Sequence, residues 1–215
     1  MGDLIQLSER LADRSRPSRG PAAFFFAVGC PISYLAAETI ERALGEVEWV
    51  PVPCLPLQGS PDQRRRHAER RLLAAEHAAR ELRLPLVSPE DLAADPRPVA
   101  RAALFAADNG VGARFALAAT RLIFCGGFDA DDTTVIVEAA SAAGLSVQAT
   151  LEAAWDFLHD EPLDATARGL VARGVSSTPA IRVGGRWFEG LDAVPGASRY
   201  TLLQGQYGAP AHPGG

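Results

Sequence analysis

Cys30 and Ser33 stand three residues apart in "GCPISYLAAE", between a short apolar run and a stretch with helical spacing. Cys30 and Pro31 open the C-P-x-C pattern of a dithiol centre, but the fourth position is a serine, so no vicinal disulfide can close. A cysteine just before a helix faces the unpaired N–H groups of the first turn and the positive end of the helix dipole. Both favour thiolate over thiol. The Ser33 hydroxyl is placed to donate to that thiolate. The tetrapeptide alone describes equally well a small half-buried cysteine that happens to begin a helix.

A second stretch, "GVSSTPAIRVGGRWFEGLD" from Gly174 to Asp192, sets Thr178-Pro179 immediately before a strand. A proline there interrupts strand pairing, and one way to build it is a cis Thr178–Pro179 bond. Such a bond would leave the Thr178 N–H and C=O free to pair with an extended ligand. A trans proline in a loop before a hairpin is the plainer alternative.

The rest of the chain narrows the chemistry. It contains no lysine; all 21 of its basic residues other than histidine are arginines. A Schiff-base or P-loop lysine is therefore excluded. The arginine-rich run from Arg64 to Arg71 reads as the solvated face of a helix rather than a nucleic-acid surface. His67 and His77 are ten apart, and no Cys/His spacing resembles a metal site, so no metal is expected. Cys54 reads as a packed core cysteine, with a resolving thiol for Cys30 as the alternative. Cys125 carries no assigned role. Trp49, Trp155 and Trp187 read as core or pocket wall.

The elements that must position these residues follow from periodicity. "AAFFFAV", Ala22 to Val28, is a short buried strand; Pro31 to Gly45 is a helix beginning on a proline; Val47 to Leu55 is a second strand with an irregular end at Pro51 and Pro53. A β-α-β unit of this kind implies a parallel pair with a right-handed crossover. Residues 62–82 form a helix with Ala68, Leu72, Ala75, Ala79 and Leu82 on one stripe. After a Pro-rich loop, Ala100–Ala107, Gly112–Phe124, Asp132–Ala143 and Val147–His159 read as successive helices. "AIRVGGRWFEG" is a hairpin turning at Gly184-Gly185, and a last helix covers 192–205. A short amphipathic helix fits within residues 1–20, and "YGAPAHPGG" reads as a disordered tail.

An apolar fraction of 47%, a charged fraction of 22% and a net charge of −5 are ordinary for a soluble globular chain. They argue against an extended nucleic-acid surface. No apolar run reaches membrane-spanning length, and residues 1–20 lack the apolar core of a secretory signal. Three widely spaced cysteines do not make a disulfide framework. The expected setting is the cytoplasm.

Taken together, the layout resembles a thioredoxin-like α/β fold (β-α-β, then β-β-α) with a large all-helical insertion between its halves. This is the DsbA-like branch. Within it, "CPISYLA" is similar to the S-P-x-S-Y-L-A segment of 2-hydroxychromene-2-carboxylate isomerases and kappa-class glutathione transferases. "ARELRLPLVSP" and "GVSSTPAIRVGGRWFEGLDAV" resemble their middle and closing segments. The resemblance covers about residues 22–205 and implies a thioredoxin-like domain from 21–59 plus 169–206. The helices read from periodicity make the insertion 60–168, and the resemblance leaves an arm at 1–20 and a tail at 207–215 unmatched.

The resemblance further implies glutathione, or another low-molecular-weight thiol, as cofactor. The subgroup's sulfur-binding serine falls on Cys30, a departure that adds the capacity for a mixed disulfide. Ser33 matches the serine kept three residues later. Pro31, Thr178 and Pro179 fall on the ligand-binding frame, and Asp192 falls on the acid that grips the glutamyl ammonium. The subgroup's Asn and Lys after the second strand have no counterparts. Arg64, Arg65 or Arg66 would have to meet a carboxylate instead, with Arg64 and Arg66 the candidates retained.

Three functions follow. The first is a glutathione-dependent isomerase or transferase acting on a small electrophilic aromatic or conjugated substrate. The second is a single-thiol DsbA-like oxidoreductase, and the third is a non-catalytic binding protein. A small-molecule substrate is the expected partner, with neither nucleic acid nor membrane. Related enzymes are often dimers, which admits a homodimer without demanding one.

Overall fold

The structure is a computed structural model that describes residues 22–55, 60–92 and 94–207. The arm at 1–20, with its expected helix, lies outside the described residues, as does the tail from 208 onward.

Four strands form one sheet: β1 (Ala22–Phe26), β2 (Val47–Pro51), β3 (Ala180–Val183) and β4 (Arg186–Glu189), in the order β2-β1-β3-β4. β1 lies between a parallel neighbour, β2, and an antiparallel one, β3, with Phe24 opposite both Trp49 and Ile181. Being covered on both faces, β1 is apolar throughout rather than alternating. Phe24 and Phe26 meet the edge of Trp49 on one face, and Phe25 packs on Trp187 across the other. The hairpin β3–β4 turns at Gly184 and Gly185, both at positive φ as a two-residue turn requires.

Helix α1 (Pro31–Leu44) crosses from β1 to β2. Pro31 occupies its first position, where the missing N–H has no helical acceptor to lose. Gly45, at φ 77°, ends it by returning its N–H to Glu41. Between β2 and β3 run α2 (Pro61–Leu82), α3 (Arg97–Asp108), α4 (Gly112–Phe124), α5 (Thr133–Ala143), α6 (Val147–Trp155) and α7 (Asp160–Val171). Helix α8 (Ala193–Tyr207) returns to pack on α1, β3 and β4.

Alanines let these helices approach closely: Ala102, Ala103, Ala106, Ala116, Ala119, Ala139 and Ala140 are fully buried. Their core is continuous with Phe24 and Phe26 of the sheet and Leu35 and Ile40 of α1. A smaller cluster, which includes Val52, Leu55, Ala167 and Leu170, is separate from it. Arg101 of α3, itself buried, holds α7 in place through paired bonds of 2.8 and 2.9 Å to Asp160.

The boundaries differ from the periodicity in instructive places. β1 stops at Phe26 rather than Val28 because the chain turns there, with Cys30 donating its N–H to the Ala27 carbonyl at 3.1 Å. β2 ends at Pro51 rather than Leu55, since Pro51 and Pro53 supply no N–H to a ladder, though Val52 still donates to Phe26 at 2.9 Å. The single helix expected over Val147–His159 is broken at Asp156. Its carboxylate caps a 3-10 turn, Phe157–His159, and a separate α7 follows. Pro162 lies in the first turn of α7, where it is tolerated. Trp155, expected as core or wall, is exposed at the end of α6.

Candidate active site

The site forms where β1 and β2, running side by side, release their chains. Phe26 pairs with Pro51 in the last rung of the ladder. Four residues beyond Phe26 the chain reaches Cys30, and three beyond Pro51 it reaches Cys54. The two cysteines come to line the same cavity.

Cys30 is the N-cap of α1. Its Sγ accepts the Ser33 backbone N–H at 3.4 Å, the expected use of a helix terminus by an anion. The Ser33 hydroxyl accepts the Ala27 N–H at 3.2 Å, which leaves its own proton for the Cys30 sulfur. Both side chains are fully buried. A Cβ added at Gly29 would stand 2.9 Å from Pro96, so the turn before the cysteine lies tight against the segment leading into α3.

The decisive group comes from α2. Arg71 reaches in from mid-helix, and its Nη2 lies 2.7 Å from Cys30 Sγ. The same nitrogen donates to the Thr178 carbonyl, while Nη1 donates to the Leu55 carbonyl at 3.0 Å and lies 3.4 Å from His67 Nε2. Arg71 is 7% exposed and its Nε, also buried, has no partner. Thr178, fully buried, touches both sulfurs: its carbonyl lies 3.8 Å from Cys30 Sγ and its hydroxyl 3.9 Å from Cys54 Sγ. The Thr178–Pro179 bond is cis.

The charges follow from these contacts. Burial alone would push the Cys30 thiol up. Its hydrogen bond with Cys54, the Arg71 charge and the two Ser33 donors outweigh burial and hold it well below the free-cysteine range. Cys54 is the complement: its hydrogen bond with Cys30, burial and the neighbouring negative charge push it well above that range. Arg71 is held more firmly charged, because the two sulfurs outweigh its burial. Burial, then Arg71 and Arg70, lower His67 and keep it neutral. The resting site is thus one thiolate, one thiol and one guanidinium.

A cavity of about 800 Å³ opens over this group. Its lining combines Cys30, Cys54, His67, Arg70 and Arg71 with the apolar Ala100, Ile123, Phe124 and Leu163 and with Asp91, Asp95 and Arg97.

The structure places the expected site residues unequally. Cys30, Ser33, Pro31 and Thr178 converge, and Pro179 follows Thr178 into β3. The Thr178 carbonyl, expected to be open to a ligand, is instead occupied by Arg71. Arg66 is exposed, and its carbonyl accepts Arg70 Nε at 3.3 Å; Arg66 does not line the cavity. The side chain of Arg64 lies outside the described ones. Asp192 is exposed in the 3-10 turn Gly190–Asp192, bound to Arg199 at 2.8 Å, and does not line the cavity. The arginine that meets the cysteine is Arg71, which had been read within a solvated run.

Position 71 is three residues after Ala68 and four before Ala75, so it falls on the apolar stripe of α2. That spacing is the signal that could have singled it out. Cys54, read as a packed core residue, is half-buried and lines the cavity beside Cys30. Cys125 lies apart, donating to the Tyr34 hydroxyl at 3.2 Å, and Tyr34 in turn donates to the Pro85 carbonyl at 2.8 Å. No cluster of potential metal ligands occurs among the described residues.

Fold and site together define a thioredoxin-type thiol centre, and the comparisons with known proteins agree. Residues 23–208 match the family model of the DSBA-like thioredoxin domain, and the chain belongs to that family. Solved structures share its fold. A 2-hydroxychromene-2-carboxylate isomerase superposes with a TM-score of 0.69 at 14% identity, over 87% of this chain and 98% of that one. A probable DsbA oxidoreductase from Streptomyces coelicolor gives 0.65 at 16%, over 89% and 91%. The cytosolic disulfide reductase DsbM from Pseudomonas aeruginosa, solved also with GSH, gives 0.61 at 19%, over 87% and 99%. No curated protein matches the sequence.

Proposed function

We propose that this protein is a thiol–disulfide exchange enzyme in which the Cys30 thiolate attacks the disulfide of a small glutathione-class substrate. The observation that carries the reading is the 2.7 Å contact of Arg71 Nη2 with a buried sulfur at a helix N-terminus. A full charge and several donors act there in a low-dielectric setting, where they keep the nucleophile ionised. The alternative role, a hydrogen-bond donor to a bound glutathione thiolate, fits poorly, since two thiolates side by side repel.

In the reaction, Cys30 Sγ attacks one sulfur of the substrate disulfide. That S–S bond breaks, a thiolate leaves, and a mixed disulfide forms on Cys30. A second thiol then displaces the bound group from Cys30, and the Cys30 thiolate is regenerated at the expense of low-molecular-weight thiol. The Arg71 guanidinium sits where negative charge passes from Cys30 to the leaving sulfur. Arg70, on the cavity wall, is a donor for substrate carboxylates in a chain without lysine. The GSH complex of DsbM supports a cofactor of this type, and that neighbour's cytosolic setting supports a cytoplasmic one here. Three free cysteines fit the same compartment.

The cavity favours a second reading. Its apolar lining residues, Ala100, Ile123, Phe124 and Leu163, suit an aromatic or conjugated electrophile, to which the same thiolate would add in an isomerase or transferase reaction.

The test is glutathione-dependent reduction of the mixed disulfide between glutathione and mercaptoethanol, comparing wild type with Cys30→Ser. Turnover by wild type and its loss in Cys30→Ser is the expected outcome. Full turnover in Cys30→Ser overturns the reading. Turnover of a conjugated aromatic acid in the absence of disulfide exchange selects the second reading.

A further inference from the structure

We infer that Cys54 is the resolving thiol of this site, so that Cys30 and Cys54 close an internal disulfide and make a dithiol centre out of a C-P-x-S motif. The inference rests on Cys30 being the nucleophile, as proposed above.

The topology brings the pair together. Cys30 and Cys54 leave the same end of adjacent parallel strands, from residues that face each other as Phe26 and Pro51. They line one cavity, and the Cys30 charge bears on Cys54. Thr178 is shared between them, with its carbonyl toward Cys30 and its hydroxyl toward Cys54. The Thr178 hydroxyl also accepts the Leu55 N–H at 3.4 Å, which fixes the Cys54–Leu55 segment against the site. The Arg71 anchor on the Leu55 carbonyl does the same from the other side. Ser33, at the position where a vicinal dithiol would carry its second sulfur, is committed to the Ala27 N–H and cannot serve.

The charge balance also orders the steps. In the resting state the anionic Cys30 keeps Cys54 protonated. Once Cys30 is capped in a mixed disulfide, its negative charge is gone while Arg71 remains charged. The neighbouring Cys54 then loses the repulsion that held its proton and gains an unshared cation. Cys54 Sγ attacks Cys30 Sγ, the bond from Cys30 to the substrate sulfur breaks, and the Cys54 proton passes to the departing thiolate, which leaves as a thiol. The two protein sulfurs have lost two electrons in forming the Cys30–Cys54 bond, and the substrate disulfide has gained them. Two molecules of a low-molecular-weight thiol reset the site by reducing that bond, emerging as their own disulfide.

The experiment is mass spectrometry of the intact chain and of its tryptic peptides after a brief exposure to oxidised glutathione. Wild type, Cys54→Ser, Cys54→Ala and Cys30→Ser are compared. With cleavage only after arginine, Cys30 falls on the peptide from Gly20 to Arg42, Cys54 on that from Ala43 to Arg64 and Cys125 on a third. Wild type is expected to lose two hydrogens and yield a disulfide joining the first two peptides. Both Cys54 variants are expected to retain one glutathionyl group on Cys30, and Cys30→Ser neither change. A stable Cys30 adduct of equal yield in wild type and both Cys54 variants overturns the role of Cys54 and leaves the Cys30 nucleophile standing. Absence of any Cys30 modification in every variant overturns both.

Discussion

At the scale of single residues, the site turns on one guanidinium against one sulfur. Removing that cation leaves Cys54, the helix N-terminus and Ser33 as the remaining supports of the thiolate, against a burial that opposes it. Arg71→Gln is therefore expected to move the midpoint of Cys30 alkylation upward by about 1–3 pH units, the usual effect of losing an opposite charge at contact distance. The check is the iodoacetamide reaction rate against pH. The sign is fixed: wild type reacts through a thiolate that persists to lower pH, so the variant should lag most on the acid side and converge with wild type in alkali. An unchanged midpoint would show that Arg71 does not set the ionisation. The half-buried Cys125, whose sulfur donates to the Tyr34 hydroxyl, provides an internal comparison in the same digest.

At the scale of elements, α2 is the arm that delivers Arg71, and its start is defined by a capping box. The Ser60 hydroxyl accepts the Gln63 N–H at 3.3 Å, and the Gln63 side chain accepts the Ser60 N–H at 2.7 Å. Ser60→Ala is expected to cost about 1 kcal/mol of stability, measured by urea unfolding. Elements of this kind were well marked in the sequence. Gly-Gly between two apolar runs, a proline opening α1 and alanine stripes at helical spacing each carry a local cause, and the structure keeps them. What escaped was produced by contacts between elements. Periodicity sees Arg71 as one of a run of arginines, because its partners are 41 and 107 residues away in Cys30 and Thr178. Cys54 likewise looked like packing, since the parallel register that seats it beside Cys30 becomes visible only when β1 and β2 pair. Asp192 was carried over from a resemblance, whereas in this chain it pairs locally with Arg199 at 2.8 Å.

At the scale of the molecule, the sheet and the helical segment share one apolar core, and within that segment α3 and α7 are tied to each other by charge. Arg101 is buried and satisfied by Asp160 and by the Ala154 carbonyl at 3.1 Å, with its guanidinium also against the Phe157 ring. Asp160 is held more acidic, first through its bond to Arg101. Asp160→Ala would strand a buried cation and is expected to cost about 3 kcal/mol in urea unfolding, whereas a surface pair such as Arg168–Glu161 should contribute under about 1 kcal/mol.

For the Cys30–Cys54 couple proposed above, the Arg71 contact also decides where the reduction potential is written. A cation that stabilises the thiolate stabilises the reduced form, and so makes the corresponding disulfide more oxidising. In this chain that cation comes from the long helix between the two halves of the sheet, not from the cysteine motif. A change of one side chain on α2 can therefore retune the redox poise while the C-P-x-S segment, its helix and its sheet remain as they are.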